Sequence, residues 1–510
     1  MIVHRRICLG ALMILAAVLA GCQILQPTAA VPAPDYWPTT GWRSTAAEAQ
    51  GMDSEELADL LLAVRASDVD IHSLLIIRDG YVVVDAAFYP YDGRTIHNVA
   101  SVTKSLMTTL IGIAVDQGKV DLDDPMVTFF PDRTVDNLDS RKQTITVRHL
   151  ASMSSGLQCE SDPDEPTLRE MVASQDYVQF ILDRPVAWEP GERFIYCSPA
   201  IHLLSPILQQ ATGMTALDFA SRNLFGPLGF GEVAWPSDPQ GYTDGWGEIL
   251  LDPHDMAKLG FLFLHGGEWD GRQIVSREWV EQATAPQVAT PDGEDPYGYG
   301  WWVETEVEGA SARGRGGQNV YVLPAWNMIL VTTGGGFQMD EIAELLLAVL
   351  TDLKETLPAN PEGEARLGAA IEAVAQPPEP TPAALPAVAR QISGKTFVFE
   401  PNPARLASIA FEFDGPSEAA VTLELGGRPQ GTAAVGLDGS YRFFTGPDGR
   451  PEGFRGFWAD PQTFTLEYDG ITNNDHAFLT FHFDGDRVEV SIQETAHEVG
   501  VQFEGRIAAP

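Results

Sequence analysis

Ser101 and Lys104 lie three residues apart in "NVASVTKSLMTTL", residues 98 to 110, where an apolar helix is expected to begin. A serine hydroxyl is a weak nucleophile until a base takes its proton, so a reactive serine needs that base within hydrogen-bond reach. Residues i and i+3 project from neighbouring points of one helix face, which lets Lys104 stand beside Ser101, and the helix N-terminus disfavours the cationic amine. To accept a proton near neutrality the lysine must fall from a reference pKa of about 10.4 toward 7, which takes roughly 4–5 kcal/mol of lost solvation and charge interaction. Its neighbours three and four residues away are Ala100, Ser101, Met107 and Thr108, a setting in which burial can supply that shift. Taken alone, the stretch fits a helix-start serine beside a snorkelling lysine at least as well.

The elements needed to position this pair follow from the surrounding pattern. "MDSEELADLLLAVRA" carries a cap, acids in its first turn and apolar residues at helical spacing. "IHSLLIIRDGYVVVDAAFYP" reads as two strands joined at Asp79-Gly80, and Val99 to Gly118 as a long buried helix. Further helices are expected at 146–153, 168–183, 198–213 and 252–267. Strands return in "YGYGWWVETEV", "GQNVYVLPAW" and "NMILVTTGGG" before a helix in "MDEIAELLLAVLTDL". Two β-rich ends around a helical middle indicate an α+β domain over residues 51–355. Residues 356–392, with "AQPPEPTPAALPAVA" inside them, read as a Pro/Ala-rich linker. Residues 393–510 alternate short strands with Asp-Gly and Gly-Gly turns, the pattern of an antiparallel all-β barrel or sandwich.

The chain opens "MIVHRRICLGALMILAAVLAGC", a basic start followed by an apolar run too short for a comfortable membrane span, which marks residues 1–21 as an export signal. The ending Leu19-Ala20-Gly21-Cys22 resembles the lipobox of bacterial lipoproteins, which implies lipidation of Cys22 and a membrane-anchored protein on the periplasmic or extracellular side. Residues 22–50, rich in Pro, Ala and Thr, are then expected to be a tether. With Cys22 carrying lipid, Cys159 and Cys197 remain for one disulfide in an oxidising compartment; two buried free thiols are the alternative. The 510 residues hold 32 basic against 71 acidic side chains, a net charge of −39, which argues against nucleic acid as a partner.

The run "NVASVTKSLMTTLIGIAVDQGKVDLDDPM", followed by "ITVRHLASMSSGL", resembles the nucleophile helix of the serine β-lactamase and penicillin-binding protein superfamily, in its class C and esterase branch. Its second motif, Tyr-x-Asn after a Pro-Gly turn, is matched by Tyr196, Cys197 and Ser198 in "WEPGERFIYCSP". The third, Lys-Thr-Gly or His-x-Gly, is matched in position by Arg315, Gly316 and Gly317 in "RGRGGQNVYVLP". The subgroup it resembles most is that of the 6-aminohexanoate-dimer hydrolases, and residues 393–510 resemble the lipocalin-like domains appended to such enzymes.

The resemblance implies a β-lactamase/transpeptidase-like fold in which Ser101 forms an acyl-enzyme with a small ester or amide. Lys104 and Tyr196 then handle protons, and the backbone N–H groups of Ser101 and Gln318 form an oxyanion hole. Ser198, Arg315, Gly316 and Gly317 face the substrate. Two departures weaken a β-lactam substrate: Ser198 lacks the amide of asparagine, and the permanently charged Arg315 cannot exchange protons. A D-alanyl-D-alanine peptidase or β-lactamase is the alternative within the superfamily, and a non-catalytic binding lipoprotein the alternative outside it. No His-Glu-x-x-His, paired-cysteine, Walker or dinucleotide pattern occurs in the sequence, so neither metal nor cofactor is expected. Tyr297, Tyr299, Trp301 and Trp302 read as strand core or as the wall of an acyl pocket.

Overall fold

The computed structural model describes residues 31–67, 69–161, 165–291, 295–446, 449–495 and 500–508; the signal segment and Cys22 lie outside them. Asp79 and Gly80, at φ 51° and 82°, make the left-handed turn between strands β2 (Ile71–Arg78) and β3 (Tyr81–Ala87). β1 (Arg43–Ser44) adds to β3 in parallel. From the far end of the domain come β4 (Trp302–Glu304), β5 (Gly309–Gly314), β6 (Gln318–Leu323) and β7 (Met328–Gly334). The sheet runs β1-β3-β2-β7-β6-β5-β4, so the two β-rich ends of the domain meet at the β2–β7 pair, in register from Met328↔Arg78 to Thr333↔Ser73.

Both faces of β2 and β7 are covered, which explains their unbroken apolar runs. Helices α1 (Ser54–Ala66) and α5 (Asp340–Leu350) bury Leu57, Leu61, Val64, Ile342 and Leu346 against one face. The other face receives α4 (Pro253–Leu264), where Gly260 leaves no room for a Cβ beside Val320 and Ile329. Helix α2 (Val102–Asp116), which follows Ser101, is buried from Val102 to Ala114 and lies between this sheet and the helical middle of the domain, which includes α3 (Ser198–His202).

Two expected boundaries are corrected. Residues 361–374 of the expected linker are a helix, α6 (Pro361–Val374), started by Pro361 and capped by Asn360. Its Leu367, Ala370 and Val374 join the core around α1; this stripe of mostly small residues was hidden beside the prolines that follow. Residues 34–50 of the expected tether also pack on the domain. Trp37 meets Phe261, His265 and Trp269, Trp42 meets Phe261, and Ala47 is core. The aromatic side chains outweigh the loop-like Pro and Thr composition, since each ring buries a large area.

The C-terminal strands are β8 (Thr396–Phe399), β9 (Leu406–Phe413), β10 (Glu418–Leu425), β11 (Arg428–Gly436), β12 (Arg442–Thr445), β13 (Pro451–Asp460), β14 (Thr463–Asp469), β15 (His476–Asp484), β16 (Arg487–Glu494) and β17 (Gly500–Ile507). They run β11-β10-β9-β8-β17-β16-β15-β14-β13 and close into a barrel where Gly436 of β11 pairs with Arg455 of β13, with β12 on the outer flank. Phe397, Phe411, Phe464, Phe481 and Phe483 fill it. Among the described residues no helix is long and apolar enough to cross a membrane.

Pro34–Pro510 form one unit, and the barrel's outer face meets the first domain through buried charge. His476 bonds Asp70 of the first domain through Nδ1 and Glu467 through Nε2, the latter at 2.9 Å. Arg455 donates to both oxygens of Glu467 at 2.7 Å. Burial opposes charge on this histidine, yet Asp70 and Glu467 push its pKa up to about 11. Burial likewise works against the Glu467 carboxylate, but His476 and Arg455 outweigh it and hold it down to about 2.

Candidate active site

The turn into α2 is built to present Ser101. Ala100 takes a left-handed φ of 46°, an uncommon conformation for a residue with a side chain. Its N–H donates to Asn98 Oδ1 at 2.9 Å, and its carbonyl accepts from Thr103 Oγ1 at 2.6 Å. Ser101 stands at the helix N-cap without capping it, so its hydroxyl is available elsewhere. Lys104 Nζ donates to that hydroxyl at 2.7 Å and to the carbonyl of Trp246 at 2.6 Å.

Lys104 is 1% exposed. Burial pushes its pKa down to about 8; Arg315 acts in the same direction, against Glu165 and Glu248. This places the amine within reach of the neutral form near physiological pH. Glu248, held by Asn98 Nδ2 at 3.0 Å, is itself pushed up by burial.

Tyr196 is half-buried, with the Lys104 ammonium 4.9 Å from its ring centroid. Burial raises its pKa well above the usual phenol range, and its hydrogen bond to Ser101 acts the other way. The ring stacks on Trp302, 6.3 Å between centroids and 17° between planes, and touches Phe194. The next residue, Cys197, is disulfide-bonded to Cys159, which ties this segment to the loop after the 146–153 region. Tyr297, Tyr299 and Trp301 are core; Trp302 is the member of that cluster beside Tyr196. Ser198 is fully buried at the start of α3, and its hydroxyl has no hydrogen-bond partner among the described residues.

The third motif forms the tip of the β5–β6 hairpin. A Cβ on Gly314 would lie 2.5 Å from the carbonyl of Val99 and 3.1 Å from Ser101 N, so β5 approaches Ser101 backbone to backbone. Arg315, Gly316 and Gly317 follow, the glycines at φ 83° and 93°. Gln318 stands one strand further from α2, paired with Gly314, and its amide Nε2 donates to Gly334 O at 2.6 Å. Ser101, Lys104, Tyr196 and the Arg315 tip are therefore brought together, while Gln318 faces into the sheet and Ser198 into the helical core.

Sequence reasoning did not single out Trp246, Glu248, Asn98 or Glu165. Trp246 contributes only a carbonyl, which leaves no mark on side-chain pattern, and the acids lie far from Lys104 in the chain. Among the described residues no group of three His, Cys, Asp or Glu side chains converges as a metal site would require.

Residues 67–368 match the Beta-lactamase family. Among curated proteins, the chain is 26% identical over 297 residues to the 6-aminohexanoate-dimer hydrolase of Paenarthrobacter ureafaciens, covering 53% of this chain and 74% of that one. It is 26% identical over 163 residues to a beta-lactamase of Escherichia coli K12, covering 31% and 41%. Among solved structures, a candidate 6-aminohexanoate-dimer hydrolase from Bacillus anthracis superposes with a TM-score of 0.52 at 18% identity, over 63% of this chain and 89% of that one, a likeness of fold.

Proposed function

Because the chain belongs to the Beta-lactamase family of serine hydrolases, we propose that it cleaves a small ester or amide through an acyl-enzyme on Ser101. The observation that carries this reading is the buried Lys104 amine, 2.7 Å from Ser101 Oγ with its pKa pushed down to about 8. Neutral Lys104 takes the Ser101 proton as Oγ attacks the substrate carbonyl, and the carbonyl electrons move onto oxygen. Collapse of that oxyanion expels the alcohol or amine, which takes a proton delivered through Tyr196. Water then attacks the acyl-enzyme and gives up its proton along the same path; collapse of this second oxyanion breaks the bond to Oγ, releases the carboxylic acid, and the proton returns to Ser101.

Backbone N–H groups are suited to the developing oxyanion. One is that of Ser101. The close approach of Gly314 to Ser101 N supports placing the second at Arg315, the residue directly after Gly314, in place of the expected Gln318. Gly316 and Gly317 keep the tip free of side chains, and Arg315 supplies positive charge beside the site. Trp302 and Phe194, packed on Tyr196, supply an apolar wall for the acyl or leaving group.

The protein is further proposed to work outside the cytoplasm, held to the membrane by lipid on Cys22. The Cys159–Cys197 disulfide supports an oxidising compartment. Membrane fractionation of a Cys22→Ala variant tests the anchor: release of the variant into the soluble fraction is expected, and unchanged membrane retention counts against lipidation.

The chemistry is tested by intact-mass analysis after exposure to a fluorophosphonate probe, alongside turnover of short-chain nitrophenyl esters and reaction with benzylpenicillin. A single adduct on Ser101 with ester turnover is expected, and Lys104→Ala should abolish acylation while keeping the fold. No adduct and no turnover would defeat the hydrolase reading. A stable penicilloyl adduct would favour a D-alanyl-D-alanine peptidase, and rapid penicillin turnover a β-lactamase.

A further inference from the structure

The loop Gly470–Asp475 between β14 and β15 carries the barrel's backbone into the neighbourhood of Ser101. Ile471, Thr472 and Asn474 are each 3% exposed or less, although they belong to a turn between strands. Two contacts account for this burial. The Thr472 carbonyl accepts the backbone N–H of Asn98 at 2.9 Å, the same Asn98 whose side chain fixes the strained Ala100 and holds Glu248. Asn474 meets Arg315 with both ends of its amide: Nδ2 donates to the Arg315 carbonyl at 3.1 Å, and Oδ1 accepts from the guanidinium Nη2 at 3.3 Å. The hairpin tip is shaped for this neighbour, since a Cβ on Gly316 would lie 2.7 Å from the Cβ of Asn474.

We propose that Asn474, presented by the C-terminal barrel, is a positioning residue for hydrolysis at Ser101, holding the backbone and guanidinium of Arg315 so that the third-motif tip keeps its place over the nucleophile. The proposal rests on the hydrolase reading above. Backbone donors stabilise an oxyanion only when fixed where the charge develops. Within the first domain the tip is held through its carbonyls, by Gln318 Nε2 on Arg315 at 3.3 Å, Gly336 N on Gly316 at 3.2 Å and Thr332 Oγ1 on Gly317 at 2.8 Å, and none of these bonds holds the guanidinium. The barrel adds to this: one amide side chain binds both the main-chain carbonyl of Arg315 and its guanidinium. The Thr472–Asn98 bond ties the segment just before Ser101 to the same loop. The two segments that bracket the nucleophile are thereby tied to one six-residue loop of the second domain.

The test uses the full mature chain and four variants: Asn474→Ala, Arg315→Ala, the double variant, and Thr495→Val. Thr495 Oγ1 donates to Gly335 O at 3.1 Å, another contact between barrel and first domain that bonds neither Arg315 nor Asn98, so its loss controls for a loosened interface. The wild type must first show stoichiometric fluorophosphonate labelling of Ser101 and ester turnover; without them the hydrolase reading itself fails, whatever the variants do. Given them, Asn474→Ala is expected to lower kcat on the order of tenfold to a hundredfold with little change in KM. The double variant should lose less than the product of the two single losses, because Arg315→Ala removes the guanidinium that Asn474 holds and keeps the carbonyl, and Thr495→Val should match the wild type.

Asn474→Asp supplies a readout that a purely structural contact would not move. A carboxylate there offsets the Arg315 charge that helps keep the Lys104 pKa low, so the pH midpoint of acylation should move upward while the guanidinium keeps its acceptor. Wild-type kcat in Asn474→Ala, equal losses in Thr495→Val, or multiplicative losses in the double variant would each overturn the proposal. If Asn474→Ala does not fold, an unmoved midpoint in Asn474→Asp overturns it equally.

Discussion

The Lys104 amine and the Ser101 hydroxyl stand 2.7 Å apart on successive turns of one helix, and the amine's other close partner is the uncharged carbonyl of Trp246 at 2.6 Å. With neutral groups directly on the nitrogen and burial around it, the neutral amine is favoured well below the pH at which an exposed lysine gives up its proton.

Rate should therefore follow the titration of Lys104. The base acts only when unprotonated, so kcat/KM for a short-chain ester should rise about tenfold per pH unit at low pH and level off above about 8. Stopped-flow acylation between pH 5 and 10 checks this. A plateau already reached by pH 6 would mean that another group takes the serine proton.

Gly314→Ala isolates the approach of β5 to the nucleophile. Gly314 has no left-handed φ, so alanine suits the backbone, but its Cβ would meet Val99 O at 2.5 Å and Ser101 N at 3.1 Å. Moving the tip by a fraction of an ångström should lower acylation on the order of a hundredfold while the barrel stays folded. Acylation kinetics and circular dichroism on the same sample separate the two effects.

Replacing both cysteines of the Cys159–Cys197 pair by serine frees a chain separation of 38 residues and should cost about 4 kcal/mol on the chain-entropy account. Since Tyr196 precedes Cys197, ester turnover should fall as well as Tm. Urea unfolding with parallel kinetics measures both. An unchanged denaturation midpoint would show that the bond adds nothing to stability.

Asp469 makes stability depend on pH in the opposite sense to a salt-bridged acid. Burial pushes its carboxyl above the usual carboxylate range, and neither oxygen has a hydrogen-bond partner among the described residues. The folded protein holds this proton to higher pH than the unfolded chain. The stability linked to it is complete below about pH 4 and is lost as pH rises through the raised value. Asp469→Asn should raise Tm at pH 8 and leave it close to the parent's at pH 4. An equal gain at both values would point to a cause other than ionisation.

Local pattern made much of this legible. The apolar setting of Lys104 and the Asp79-Gly80 turn are short-range signals, and the repeated turn pairs after residue 393 mark an antiparallel barrel or sandwich, which the resemblance to lipocalin-like domains narrows to a barrel. The failures were of two physical kinds. In α6 the buried stripe is Leu367, Ala370 and Val374, too slight in bulk to stand out beside the prolines that follow, and in residues 34–50 a few aromatic rings decide the packing against a loop-like background. The other kind is distance along the chain. Asn474 and Arg315 meet across 159 residues and two domains, and Trp246 acts through its carbonyl, so neither leaves any periodicity to read.

Half of the chain's six lysines are closed off: Lys104 beside Ser101, Lys142 donating to the Asp136 and Leu182 carbonyls, and Lys258 against Asp255. Lys119, Lys354 and Lys395 are exposed. Lys119 lies past the far end of α2, roughly 20 Å along the helix from Ser101. Amine-reactive dyes or supports would thus meet Lys119, Lys354 and Lys395 rather than Lys104, so the protein can be immobilised through lysines that lie outside the candidate site.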